Sequence, residues 1–129
     1  MSRTIITTVG TSLVTNALRA YKLESAGRDT LERFVRETTP VSACAETNSL
    51  HRMLREEDRI VFIHSQTQEG ALCAGVLADH FIRQGNKCET REVRGLSYNE
   101  SSFKMRGLRS LINTIIEIIR SENRAGRDV

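Results

Sequence analysis

The first residues of the chain constrain its fold most, because a β-branched run there stops abruptly at a turn of small residues. Thr4–Val9 is followed by Gly10-Thr11-Ser12, and helical spacing begins at Leu13. This order predicts a buried strand that enters a helix through the turn. The amides of such a turn lack partners, so with the two hydroxyls they predict a donor site suited to phosphate. Alternatively, Ser12 or Thr11 simply caps the helix.

Two later segments also have the composition of strands, and helical patterns separate all three. The predicted strands are Arg3–Val9, Arg59–His64 and Lys87–Val93. The predicted helices are about Leu13–Tyr21, Thr30–Glu37, Ser42–Leu54, Gly70–Gln84 and Ser102–Glu122. This alternation predicts an α/β fold, a small Rossmann-like three-layer domain with a mainly parallel sheet flanked by helices. Residues 1–129 are expected to form that one domain, with Arg59–His64 as its central strand.

Apolar spacing in the two longest helices predicts which residues face the core. The inward positions of the fourth helix are Leu72, Val76, Leu77, Phe81 and Ile82. Those of the last helix are Leu108, Leu111, Ile112, Ile115, Ile116 and Ile119. Each set recurs every three or four residues and therefore lies on one side of its helix. The three cysteines, Cys44, Cys73 and Cys88, lack metal-binding spacing and are expected to be reduced core residues.

Composition narrows the classes of function. No apolar run approaches the roughly 18–20 residues that span a bilayer, and the first residues are no signal peptide, so a cytoplasmic location is expected. The net charge of +3 permits an anionic ligand. Aromatic residues are 5% with no tryptophan, which disfavours binding of long nucleic acid by base stacking. The GxGxxG pattern is absent after the first strand, which disfavours a nicotinamide cofactor, and no other cofactor or metal is predicted.

Ligands of parallel α/β sheets bind at the carboxyl ends of the strands. Three loops are predicted to meet there: Gly10–Ser12, Ser65–Gly70 and Arg94–Arg106. His64, at the end of the central strand, is a candidate general base near neutral pH. Alternatively, it is a buried histidine with its hydrogen bonds satisfied.

Three blocks of this chain resemble one family, in the same order and over nearly the whole length. Thr7–Asn16 is similar to the opening of the CRISPR-associated Rossmann-fold (CARF) domains, which sense cyclic oligoadenylate in type III CRISPR defence. Cys44–Leu50 followed by Asp58–Ala74 is similar to the middle of those domains. Gly95-Leu96 with Phe103–Leu111 is similar to their end. The family's sensor domains are usually longer and fused to a winged helix or an effector nuclease, and neither fits within this chain.

The resemblance implies a homodimer that binds cyclic tetra- or hexa-adenylate across its two-fold axis, with the tetra-adenylate preferred. The lack of a fused effector favours a stand-alone ring nuclease, which destroys the signal. In that chemistry the ribose 2′-hydroxyl of the ligand attacks the adjacent phosphorus without a metal and leaves a 2′,3′-cyclic phosphate. The protein then has to hold nucleophile and phosphate in line and to stabilise charge.

The resemblance also implies roles for particular residues. Ser12 is expected to touch the scissile phosphate or the ribose hydroxyl, beside the backbone of Gly10, Thr11 and Leu13. A cation is expected from Lys104 or Arg106, with Lys104 preferred, although either side chain fits a solvated helix charge as well.

The second loop supplies further candidates. Ser65, Gln66, Thr67, Gln68 and Gly70 are expected to line the ligand, where the glutamines and Thr67 read adenine edges or sugar hydroxyls, or else form a plain polar loop. Asn16 and Asn99 are candidates for ribose or phosphate binding by location alone. Arg59 and His64 match the Arg-x-x-x-x-His of a helical ribonuclease family, but the match falls in a predicted strand and is taken as chance.

Two other functions stay open at this point. The first is a binding module without catalysis, a sponge for the signal or a sensor that acts through a separate effector. The second is a small domain that binds ordinary nucleotides or signals through a DNA-binding partner. Cleavage of the ring separates the enzyme from the first, and preference for linear nucleotides would indicate the second.

Overall fold

The computed structural model describes residues 2–94 and 107–129. In this part of the chain the strands are β1 (Thr4–Thr8), β2 (Arg59–Ser65) and β3 (Lys87–Val93). The helices are α1 (Ser12–Tyr21), α2 (Arg28–Glu37), α3 (Pro40–Ala43), α4 (Ala45–Met53), α5 (Gln68–Arg83) and α6 (Gly107–Arg124). The predicted order of strands and helices is confirmed, with one predicted helix divided in two.

The described strands form one parallel sheet in the order β1-β2-β3. Thr4 pairs with Arg59, and Arg59 pairs with Lys87, so the strands begin level with one another. Residues Ile60 to Ile63 of β2 are fully buried, as expected of a strand covered on both faces. The predicted α/β class, with β2 in the centre of a parallel sheet, is therefore confirmed.

Alternate residues of β2 contribute to two cores, one on each face of the sheet. Ile60 and Phe62 pack with residues of α1, α2, α4 and α5, and the ring of Phe62 stacks on that of Phe81 with centroids 6.1 Å apart. Val61 and Ile63 point to the other face, where Ile118 of α6 covers them. The period of two along a strand thus produces three layers, with helices above and below the sheet.

The single helix predicted over Ser42–Leu54 is wrong, because the chain interrupts it at Cys44. The backbone of Cys44 is extended, with φ −167° and ψ 174°. Thr47 Oγ1 accepts a hydrogen bond from the Cys44 amide at 3.2 Å, which makes Cys44 the start of a new helix instead of the middle of an old one. Pro40 opens the short α3, where its missing amide loses no helical hydrogen bond. The interruption places Glu46 in the first turn of α4.

The side of α6 that faces the sheet differs from the prediction. Ile118 and Glu122 are buried, and Leu111 and Ile115 pack partly against the sheet. Three residues predicted to be inward, Leu108, Ile112 and Ile116, are 46%, 48% and 39% exposed. In this orientation Glu122 lies at the start of β1, where it accepts a hydrogen bond from Thr4 Oγ1 at 2.8 Å.

The faces of α5 follow the prediction more closely. Val76, Leu77 and Phe81 are buried and Leu72 is partly buried, but Ile82 is 50% exposed and its predicted inward position is wrong. Ile82 lies beside Phe81 on the helix, and only one of two adjacent positions can point directly at the sheet. Across the described ranges, no helix has both the length and the apolar character needed to cross a membrane.

The cysteines lie where the sequence predicted, within or against the core. Cys44 and Cys73 are buried, Cys88 is half-buried, and all three are free thiols. Burial raises the pKa of each thiol to about 11. Their thiols are therefore protonated near neutral pH.

An ion-pair cluster closes the amino edge of the sheet, where the strands begin. Glu122 is 3% exposed and pairs with Arg127 and Arg59. Asp58, also 3% exposed, pairs with Arg3 Nη2 at 2.5 Å. The hydrogen bond from Arg127 is the main cause of the lowered pKa of Glu122, and that from Arg3 lowers the pKa of Asp58. This edge is fastened by internal charges, whereas the predicted site lies at the other edge.

Candidate functional site

The predicted site lies at the carboxyl edge of the sheet, where two strand-to-helix turns are neighbours. β1 and β2 are adjacent and parallel, so Gly10–Ser12 and Ser65–Thr67 leave the sheet side by side. The Val9 amide donates to the Ile63 carbonyl at 2.8 Å, which continues the pairing up to the first turn. Two of the three predicted loops are thus brought together, and residues 95–106 of the third lie outside the described residues.

The turn after β1, here called the α1 turn (Gly10–Leu13), leaves hydrogen-bond donors without acceptors. Thr11 is the N-cap of α1 and makes no side-chain capping bond, and the first turn of α1 contains no acid. The amides of Val14 and Thr15 both donate to the Thr11 carbonyl, at 3.1 and 3.3 Å. In the described chain, the amides of Thr11, Ser12 and Leu13 find no acceptor.

The residues of the α1 turn differ in their exposure to solvent. Gly10 and Thr11 are exposed and Ser12 is half-buried. Leu13 is 1% exposed, so its side chain anchors the turn in the core while its amide stays at the helix start. The hydroxyls of Thr11 and Ser12 make no hydrogen bond to any described residue. Amides and hydroxyls together form the predicted donor group, at the positive end of the helix dipole.

The turn after β2, here called the α5 turn (Ser65–Gly70), uses its hydroxyls to cap its own helix. Thr67 Oγ1 accepts the Gly70 amide at 3.0 Å and lies 2.9 Å from Ser65 Oγ. A Cβ on Gly70 would lie 2.7 Å from Ser65 Oγ and 3.0 Å from Thr67 Oγ1, so the glycine makes room for the cap. Glu69 adds an acid to the first turn of α5. Ser65, Thr67 and Gly70, predicted to line a ligand, here build the helix start.

Glu46 joins α4 to the same edge, and no sequence argument singled it out. Its Oε1 accepts the Gly10 amide at 2.8 Å, and the side chain is 8% exposed. Its carboxylate also contributes to the raised pKa of the Cys44 thiol, after burial as the main cause. The sequence signal that could have indicated Glu46 is its place in the block Cys44–Leu50, which resembles the CARF family. Acids are common in the first turn of a helix because they favour the helix dipole, so residue type alone did not predict its contact with the α1 turn.

His64 is buried at 7% exposure, and its Nδ1 lies 2.8 Å from the Ser65 carbonyl. That geometry matches the alternative in which the histidine is a satisfied core residue, and the role as general base stays a prediction. Arg59 lies in β2, as predicted, and pairs with Glu89 and Glu122 at the opposite edge. The Arg-x-x-x-x-His pattern thus spans a strand from one edge of the sheet to the other.

The remaining predicted residues divide into those the structure places and those it does not describe. Asn16 Nδ2 donates to the Ala43 carbonyl at 3.0 Å, which ties α1 to the end of α3. Gln66 and Gln68 are exposed at the α5 turn. Lys104, Arg106 and Asn99 lie outside the described residues, so their predicted roles stay predictions. Within the described ranges, no group of three or more metal-ligating side chains is placed to hold a metal ion.

A cavity of about 220 Å³ lies away from this edge, among α2, α4 and α5. Its lining mixes polar and apolar side chains and includes His51, His80 and Phe81. Burial, followed by the charge of Arg83, lowers the pKa of His80. The cavity shares no lining residue with the two turns, so the candidate site is the open carboxyl edge itself.

Comparison with known proteins gives one family match. A family model described as CRISPR-associated protein (Cas_APE2256) matches residues 41–129, more than half of the chain. The matched range includes Glu46 and the α5 turn and begins after the α1 turn. No curated protein matches the chain.

Proposed function

The chain belongs to the Cas_APE2256 family of CRISPR-associated proteins, and we propose that it binds a cyclic oligoadenylate and cleaves it, which switches off type III CRISPR signalling. The preferred ligand is the cyclic tetra-adenylate, held at the two-fold axis of a homodimer. The proposal combines the family with the resemblance of three blocks of the sequence to CARF domains. A symmetric ring and a symmetric dimer fit one another, because each half-site then meets the same chemistry.

The observation that carries the proposal is the set of donors left over at the α1 turn. Three amides without acceptors, those of Thr11, Ser12 and Leu13, lie at the start of a helix with no acid in its first turn. Such a group favours an anion, and phosphate is the anion that an oligoadenylate offers. Helices α4 and α5 begin at the same edge, but each carries an acid in its first turn, Glu46 and Glu69.

The proposed reaction uses the ligand's own nucleophile. The ribose O2′ forms a bond to the adjacent phosphorus, the bond from phosphorus to O5′ of the next nucleotide breaks, and the 2′-hydroxyl proton is lost while O5′ gains a proton. The products end in a 2′,3′-cyclic phosphate and a 5′-hydroxyl. The amides of the α1 turn would stabilise the phosphoryl oxygens, with Ser12 Oγ at the scissile phosphate or the attacking hydroxyl. Lys104, or otherwise Arg106, would supply the cation.

A second candidate function is binding without cleavage, as a sponge or a sensor for the ring. One observation favours it: His64 is buried with its Nδ1 against the Ser65 carbonyl, so the histidine that the sequence offered as a general base makes a structural contact. In-line positioning without a base is a weaker catalyst than positioning with one. Binding without cleavage predicts no product, whereas the proposed enzyme predicts slow formation of product.

Incubation of the purified full chain with cyclic tetra-adenylate in EDTA, with mass analysis of the products, tests the proposal. Linear fragments that end in cyclic phosphate are expected. An intact ring that co-purifies with the protein would replace the enzyme by the binding candidate. A ring that neither binds nor changes would contradict both. Sedimentation of the same sample, with and without the ring, tests the homodimer.

A further inference from the structure

Glu46 and Glu122 are both buried acids, but they differ in their partners. Glu122 is 3% exposed and pairs with Arg59 and Arg127. Glu46 is 8% exposed, and no described lysine, arginine or histidine forms an ion pair with it. Burying a carboxylate without a counter-charge is costly, so the position of Glu46 has to be explained by what it contacts.

Its contact is with the first amide of the α1 turn. Oε1 accepts the Gly10 N–H at 2.8 Å, across 36 residues of sequence. This bond removes the Gly10 amide from the donors that a ligand can use. The three amides that follow, of Thr11, Ser12 and Leu13, keep no acceptor among the described residues. The acid therefore fixes the back of the turn while the front stays open.

We propose that Glu46 is the positioning residue of the α1 turn and that its charge also limits how tightly the turn binds phosphate. The inference rests on the proposed function, because the phosphate is taken to belong to the cyclic oligoadenylate. The hydrogen bond to Gly10 orients the next three amides toward the ligand. The negative charge of the Glu46 carboxylate repels the negative charge of a phosphate bound at the same turn, which weakens phosphate binding. Removal of the charge and removal of the hydrogen bond should therefore act in opposite directions.

Two substitutions separate these effects. Glu46→Gln keeps an oxygen that accepts the Gly10 amide and removes the charge, whereas Glu46→Ala removes both. Glu69→Gln is the matched control, since Glu69 is also an acid in the first turn of a helix at this edge but is exposed. The probes are cyclic tetra-adenylate and inorganic phosphate. Binding of each probe is measured from the NMR shifts of the Thr11–Leu13 amides. Hydrogen exchange of the Gly10 amide reports the turn itself without any ligand.

Glu46→Gln is expected to bind both probes more tightly, by roughly 3- to 30-fold for a unit charge removed beside the anion. Its Gly10 amide should stay protected from exchange. Glu46→Ala should lose that protection and bind at least about 10-fold more weakly than Glu46→Gln. Glu69→Gln should stay within about 2-fold of the unaltered chain, because exposed charges are screened.

Two results would overturn the inference. One is binding by Glu46→Gln that is no tighter than that of the unaltered chain, and the other is equal binding and equal Gly10 protection in both Glu46 variants. If the ring does not bind but phosphate follows the expected order, the proposed function fails and the role of Glu46 stands. If the ring binds equally to all variants, the role of Glu46 fails and the proposed function stands. Binding of neither probe to the unaltered chain contradicts both.

Discussion

The α1 turn and the α5 turn lie side by side and both begin a helix at a threonine, yet only one of the two threonine side chains caps its helix. Thr67 caps α5 by accepting the Gly70 amide. Thr11 occupies the same N-cap place in α1 and makes no capping bond. Residue type is therefore the same at the two caps, and the backbone differs: Thr67 is extended, with φ −68° and ψ 151°, as a capping residue usually is, whereas Thr11 has φ −112° and ψ 14°.

The comparison indicates how to separate scaffold from site in a fold of this kind. A side-chain cap satisfies one amide of a helix start and stabilises the helix, as Thr67 does for α5. A helix start without that cap keeps the cap hydroxyl for other contacts, as Thr11 does in α1. Under the proposed function, the α1 turn is the site and the α5 turn its scaffold, although the sequence predicted ligand contacts in both.

The largest expected difference between the turns is in catalysis. Ser12→Ala should slow ring cleavage by about 100- to 1000-fold, the effect of removing one preorganised group that stabilises charge in the transition state. Thr67→Ala should leave the rate within about 3-fold, since its hydroxyl is committed to the helix. Single-turnover cleavage with mass analysis measures both rates. Equal losses in the two variants would remove the distinction between site and scaffold.

The two glycines should differ in their effect on stability. Gly70→Ala is expected to lower the free energy of unfolding by about 2 kcal/mol, because the new Cβ overlaps the Ser65 and Thr67 oxygens and displaces the cap. Gly10→Ala should change it by less than about 0.5 kcal/mol, because the nearest atom lies 3.9 Å from its Cβ position. Urea unfolding of both variants measures the difference. A destabilising Gly10→Ala would mean that the α1 turn is as tightly built as the α5 turn.

Lowering the pH should weaken the ion-pair cluster at the amino edge of the sheet. The pKa values of Glu122 and Asp58 are lowered by their arginines, so the stability they contribute is present at neutral pH and is lost as the pH falls through the lowered values. The free energy of unfolding is expected to be level near neutral pH and to fall as the pH drops below the ordinary carboxyl pKa values of about 4. Glu122→Gln should reduce that fall. An unchanged acid dependence in the variant would place the titrating groups elsewhere.

The smallest expected difference concerns the two capping threonines. Thr67→Ala should cost about 1 kcal/mol of stability, the usual loss when an N-cap hydrogen bond is removed. Thr11→Ala should cost less than about 0.3 kcal/mol, because its side chain makes no capping bond. Thermal unfolding of both variants resolves the difference. A comparable loss in Thr11→Ala would show that its hydroxyl caps α1 after all.

The strands and the order of the fold could be predicted from sequence because their signals are local. The β-branched run of β1 and the apolar run of β2 each end at polar turns, and the structure confirms both strands to within two residues. The rotation of α6 could not be predicted in the same way, because two adjacent rows of that helix are apolar. The observed orientation includes contacts between residues far apart in sequence, such as the Glu122–Thr4 hydrogen bond across 118 positions, which local spacing does not reveal.

The candidate site was predictable in place but not in detail. The small residues of the α1 turn indicate an anion site because they lie between a strand and a helix. The commitment of Thr67 to its own helix and the contact of Glu46 with Gly10 are choices of side-chain orientation, and residue type does not determine them. Glu46 in particular contacts the turn from the first turn of α4, which begins after an interruption at Cys44 that the apolar spacing did not predict.

Mapping where the ring binds tests the account most directly. Amide NMR shifts and hydrogen exchange of the full chain, recorded with and without cyclic tetra-adenylate, report each turn separately. Large shifts and new protection are expected at Thr11, Ser12 and Leu13, with the Gly70 amide unchanged. Protection that appears at the α5 turn and leaves the α1 turn unaltered would contradict that expectation.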